Sequence, residues 1–143
     1  MKKIMLYACM LSLAVLFGTS QLSAQINTPA PSPFSKVEQQ VGLTDVTIEY
    51  SRPSVKGREL FVDVEKWGMP WRTGANAATK ITFSDDVKLE GKEVPAGTYA
   101  IYSIPDPSEW TIMIYKDVTI GGNMSKYDEA QEAARFKVKT KTN

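Results

Sequence analysis

The stretch PWRTGANAATKITFSDD, from Pro70 to Asp86, gathers the side chains in this sequence best equipped for chemistry. Trp71 offers a flat apolar plate for stacking. Arg72 offers a planar fork of donors that fits a carboxylate, and Asn76 offers both a donor and an acceptor. Thr73 adds a hydroxyl. Upstream, YSRPSVKGR carries Arg52 and Arg58, a basic loop or the second half of an anion pocket. Arg52, Arg58, Trp71, Arg72, Thr73 and Asn76 are therefore the candidate residues for holding a sugar or an anionic small molecule. The same atoms have a structural reading, which we prefer. Trp67 and Trp71 would bury large rings, and Arg72 would bridge layers to a carboxylate such as Glu49. Thr73 and Gly74 would turn tightly, and Asn76 would take the left-handed corner into the next strand.

Much chemistry is excluded. The chain has no histidine, and its one cysteine is Cys9. That removes Ser-His-Asp triads, Cys-His pairs, imidazole bases and His- or thiolate-ligated zinc. Carboxylates, lysine or tyrosine would have to carry any catalysis at neutral pH. Asp85 and Asp86 are adjacent, but strand neighbours point to opposite faces, so they make a poor dyad. They read as solvated turn residues, and the D-x-D-x-D-G order of a calcium loop is missing. No phosphate-binding glycine loop is present. Gly121–Asn123 reads as a flexible turn. No catalytic residue, metal or cofactor is expected.

The elements that position the candidate residues follow from the rest of the chain. Lys2 and Lys3, the apolar run IMLYACMLSLAVLFG and LSA before Gln25 mark residues 1–24 as a signal peptide. The expected product begins at Gln25, is periplasmic or secreted, and carries no lipid on Cys9. No second apolar run is long enough to span a bilayer. Residues 25–34 are a Pro-rich leader, and 35–143 are expected to form a single β domain. Among the 143 residues, 17 are basic and 16 acidic; losing Lys2 and Lys3 tips the balance slightly negative. Nothing here suits nucleic acid.

Alternation predicts the strands. DVTIEYS sets Val46, Ile48 and Tyr50 on one face, and ATKITFS does the same with Ile81 and Phe83. VKLEGKEV reads as a hairpin turning at Glu90–Lys92. TYAIYSI and WTIMIYK are apolar on both faces and should be central, with Tyr99, Ile101, Trp110, Ile112 and Ile114 packed under Ile48 and Phe83. DEAQEAARF predicts a helix of about two turns capped by Asp128. The fold expected is all-β: an antiparallel β-sandwich of about seven short strands with one short helix near the C-terminus.

Four phrases carry a resemblance. YSRP (Tyr50–Pro53), VKGR (Val55–Arg58), WRTGAN (Trp71–Asn76) and PAGTY (Pro95–Tyr99) resemble those of the exported bacterial family catalogued as domain of unknown function 2911. The resemblance covers most of Ser35 to Asn143. It implies a secreted or periplasmic, mainly β domain of Gram-negative bacteria with no established activity. It also implies strands beyond RFKVKTKT, so a C-terminally shortened domain with an open edge is expected. The function expected is a non-enzymatic cell-envelope binding or interaction module. Its partner would be a small molecule, a glycan or an envelope protein, the last adding a strand at an open edge. The alternative is a carboxylate-dependent hydrolase acting on envelope glycans.

Overall fold

A computed structural model describes residues 28–141. The expected signal peptide and the first leader residues lie outside them. Eight strands form: β1 Phe34–Val41, β2 Thr44–Ser51, β3 Thr79–Phe83, β4 Val87–Leu89, β5 Lys92–Val94, β6 Gly97–Ile104, β7 Glu109–Tyr115 and β8 Glu132–Lys139. Six make one antiparallel sheet in the order β1-β2-β3-β6-β7-β8, and β4-β5 pair separately as a small hairpin. The domain is all-β and sandwich-like, with the hairpin laid against the large sheet.

Turn chemistry sets the register. Gly42, at φ 66°, opens the two-residue turn that pairs Val41 with Thr44. Glu90 and Gly91 both take positive φ between β4 and β5, as a two-residue hairpin turn of this hand requires. β6 and β7 lie side by side, with Ile104 opposite Thr111.

Alternation splits the sheet into two covered faces. On one, Phe83, Tyr99, Ile114 and Ala134 pack with Val94 from the hairpin, and Ile81, Ile101, Ile112 and Phe136 flank them. Trp110 joins a different group on that face. Its ring lies edge-on to Phe61, on a wide helical turn Leu60–Val64, and to Trp71. On the other face, Ala78, Ala100, Tyr102, Met113 and Tyr115 are covered by Val118, Ile120, Met124 and Tyr127 of the β7–β8 connection. The rings of Tyr102, Tyr115 and Tyr127 meet at 4.5–5.6 Å between centroids. Burial of Tyr102 pushes its phenol up to about 12.

The predicted two-turn helix is a single tight turn, Glu129–Gln131. Asp128 does cap it, accepting from the Ala130 N–H at 3.0 Å. Ala133 and Ala134 belong instead to β8, which pairs antiparallel with β7 from Glu132 to Lys139, with Ala133 bulged between the paired Glu132 and Ala134. Glu132 accepts both Arg135 Nε–H (2.9 Å) and Nη2–H (2.6 Å), and Tyr127 donates to it at 2.7 Å. The Arg135 contact holds the Glu132 carboxyl below its usual range.

Candidate functional site

The WRTGAN stretch is an excursion from the sheet. Trp71 and Ser103 exchange both backbone hydrogen bonds, at 2.7 and 2.8 Å, on the line that β3 would follow beyond Thr79. The chain leaves the sheet after Trp71, loops through residues 72–78, and rejoins at Thr79, whose N–H donates to the Arg72 carbonyl at 3.2 Å. β6 thus runs continuously past a neighbour that is interrupted, and the corner must be held by other groups.

Those groups are the candidate residues themselves. The Trp71 indole N–H donates to the Gly74 carbonyl at 3.2 Å. The Thr73 hydroxyl bonds Ser103 Oγ at 3.0 Å, and the Thr79 hydroxyl donates to the Thr73 carbonyl at 2.7 Å. Thr73 sits at φ 55°, which is costly for a β-branched residue and is held by these two bonds. Asn76, at φ 60°, donates from Nδ2 to Ser51 Oγ at 3.2 Å and to the Ser32 carbonyl at 3.4 Å. The corner therefore ties the end of β2, the leader and β6 together. Gly74 is buried, and a Cβ there would stand 2.9 Å from Thr79 Oγ1.

Arg72 departs from expectation. It makes no salt bridge among the described residues, and its Nε is buried without an acceptor. Glu49, the carboxylate expected to pair with it, stands on β2 opposite Lys36 and Lys80 instead. The Arg72 side chain lies over Gly122, with Nη1 close enough to clash with a Cβ placed there. The second glycine of GGN is thus a seat for Arg72. Glu65 feels the guanidinium, although desolvation still raises its carboxyl above the usual range.

The other two arginines do not complete a pocket. Arg58 donates from Nε to the Val55 carbonyl and from Nη2 to the Ser54 carbonyl, both at 3.0 Å, and so closes its own loop. Arg52 is exposed, and its backbone N–H donates to the Pro33 carbonyl. Trp67, expected to be buried, is 43% exposed, with its ring stacked on Phe61 at 3.9 Å.

Four surface grooves of about 420, 100, 370 and 350 Å³ are open to solvent, and none is lined by any of the six candidate residues. The groove at the β6–β7 turn contains two carboxylates. Asp106 is bonded by the Ser108 N–H and hydroxyl, which hold it below its usual range. Glu109 is paired with Lys137 at 2.8 Å. Asp86 accepts the Ala96 N–H at 2.8 Å and Asp85 accepts the Ser84 hydroxyl at 2.6 Å, so both are turn residues. No cluster of three or more metal-ligating side chains occurs among the described residues. No helix among them is long and apolar enough to cross a membrane.

Fold and corner together define an antiparallel all-β domain whose signature phrases are built into backbone junctions. The chain matches, over residues 32–143, the family described as "Protein of unknown function (DUF2911)", and it belongs to that family. No curated protein and no solved structure matches it.

Proposed function

We propose that this protein is a non-enzymatic interaction module of the bacterial cell envelope that engages its partner by strand addition along the open edge of β1. The carrying observation is exposed apolar side chains gathered on an open strand edge, whereas the others exposed, Val55, Val62, Trp67 and Met69, lie on the β2–β3 connection. Phe34 is 63% exposed, Val37 48%, Val41 62% and Leu43 92%, all on β1 or its turn. β1 is the outermost strand, eight residues long and paired without a bulge. β1 has no bulge, and its one lysine, Lys36, is paired with Glu38 of the same strand; a long unbulged edge of this kind is a template for another strand. The donors at Trp71, Thr73 and Asn76 are spent on the corner, which argues against that corner as the binding site. The signal-like first 24 residues support the envelope setting.

The test is site-specific photo-crosslinking in cells exporting the full chain. A photoreactive residue at Gln40, on the edge, should give an adduct in the envelope fraction, and one at Lys88, on the hairpin, should not. Absence of any Gln40 adduct, or turnover of envelope glycan fragments by the purified protein, would refute the proposal.

A further inference from the structure

We infer that the strand taken up at this edge is β1 of a second copy, paired antiparallel about a two-fold axis at Val37 to give one continuous sheet across a dimer. This rests on the edge reading above and adds the occupant and the register. Pro33 accepts from the Arg52 N–H, and Val41 and Thr44 close a two-residue turn, so the odd-numbered residues of β1 bond to β2. On the other side of β2, the Asp45 carbonyl accepts from the Ser84 N–H while the Asp45 N–H donates to the Ser84 hydroxyl, and the Ser51 carbonyl accepts from the Ala75 N–H. Their partners across the ladder, Gln40 and Phe34, therefore point their N–H and C=O away from the sheet, as do Lys36 and Glu38. The Gln39 side-chain amide donates to one of these groups, the Gln40 carbonyl.

An antiparallel ladder sets outward-facing residues opposite one another, which limits the possible registers. A two-fold at Lys36 sets lysine against lysine, and one at Glu38 sets glutamate against glutamate; like charges directly opposite are unfavourable. A two-fold at Val37 sets Lys36 opposite the second copy's Glu38 and Glu38 opposite its Lys36, both within hydrogen-bonded pairs. Phe34 then faces Gln40, and the exposed Val37 side chains meet on the axis. This register also uses nearly the whole strand. Sliding further shortens the ladder and leaves the charges facing neutral groups. Within one chain, Lys36 and Glu38 already pair at 2.5 Å, so the dimer would alternate four charges across the axis.

The opposite edge of the sheet behaves differently. β8 carries Arg135, Lys137 and Lys139, and self-pairing centred anywhere on that basic stretch sets cation against cation. One edge of the sheet is defended against its own copy, and the other is complementary to it.

Sedimentation of the exported protein tests this. The wild type should dimerise. K36E and E38K should each weaken the dimer by roughly tenfold or more, since both symmetry-related pairs turn repulsive. The double swap K36E/E38K should restore it, and an equimolar mixture of the two single variants should form a heterodimer. V37C, with Cys9 changed to serine, should oxidise to a disulfide-linked dimer. A wild type that stays monomeric at every concentration overturns the inference. So does a dimer indifferent to both charge reversals. A Gln40 photo-adduct with a different protein, from a chain that sediments as a monomer, leaves the strand-addition proposal standing and removes this one.

Discussion

Gly74→Ala isolates the corner. Gly74 is buried, and its φ is ordinary, so alanine meets no backbone penalty there. The added methyl would instead meet Thr79 Oγ1 at 2.9 Å and the Ser51 carbonyl at 3.4 Å. Thr79 cannot swing aside cheaply, because it is β-branched and its hydroxyl holds the strained Thr73 carbonyl at 2.7 Å. Overpacking of this kind costs about 1–3 kcal/mol, and loss of the hydroxyl bond adds roughly 1 kcal/mol. The expected total is about 2–4 kcal/mol, read by urea unfolding monitored through tryptophan fluorescence. Gly122→Ala is the control. There the obstacle is the end of Arg72, a long side chain that can move, so the cost should stay below about 1 kcal/mol. Thr79→Ala in the Gly74→Ala background removes the clash. The two substitutions together should therefore cost less than the sum of each alone. A Gly74→Ala protein within about 0.5 kcal/mol of wild type would show that the corner is not a close-packed junction, and the structural account of WRTGAN would fall with it.

Further outcomes follow from other parts of the sheet. Arg72→Met keeps the packing over Gly122 and removes the buried, unpartnered Nε, so stability should change by less than about 0.5 kcal/mol or rise. A loss of several kcal/mol on denaturation would restore the ion-pair reading. Glu132→Gln weakens the contacts to Arg135 and Tyr127 and should cost roughly 1–3 kcal/mol at neutral pH. The Glu132 carboxyl is depressed in the fold, so its contribution is full above the ordinary value of 4.5 and fades as pH falls through the lower folded value. Acid unfolding of Glu132→Gln should accordingly lose part of its slope in that window, and an unchanged slope would contradict the assignment. Tyr102→Phe strands the Gly121 carbonyl, which now accepts the phenol at 2.7 Å, and should lower stability by about 1 kcal/mol in the same urea assay.

The strands were legible because alternation is written directly into DVTIEYS and ATKITFS. The central pair was legible because TYAIYSI and WTIMIYK have no polar face to give to water. The helix was overread. Asp128 and the alanines obey helical capping and propensity, but alanine is compatible with either state, and β7 offers β8 a ladder broken only by a bulge at Ala133. Propensity is weak against tertiary pairing. The setting of Arg72 could not be read from the sequence. Its surroundings come from nearby Glu65 and from Tyr102 and Gly122, which are distant in the chain. Trp67 is large without being buried, because a tryptophan can stack on one ring, here Phe61, and still face water.

The four family phrases share a physical feature that explains why they looked like a site. VKGR contains Lys56 and Gly57 at positive φ, closed by Arg58. WRTGAN contains Thr73 and Asn76 at positive φ, closed by Thr79 and Ser51. PAGTY contains Gly97 at φ 147°, with the Tyr99 ring packed against it and its hydroxyl donating to the Pro95 carbonyl at 2.8 Å. YSRP supplies Ser51, whose carbonyl and hydroxyl receive Ala75 and Asn76. Each phrase is a backbone corner together with the side chain that holds it, or the acceptor for a corner elsewhere. A tight corner needs glycine, asparagine, arginine and aromatic groups for the same reasons that a ligand pocket does: permissive backbone, paired donors and flat packing surfaces. What separates the two is whether the donors end on the protein. Here the tryptophan, threonine and asparagine donors do, whereas the exposed strand FSKVEQQV has no unusual residue to attract notice in the sequence.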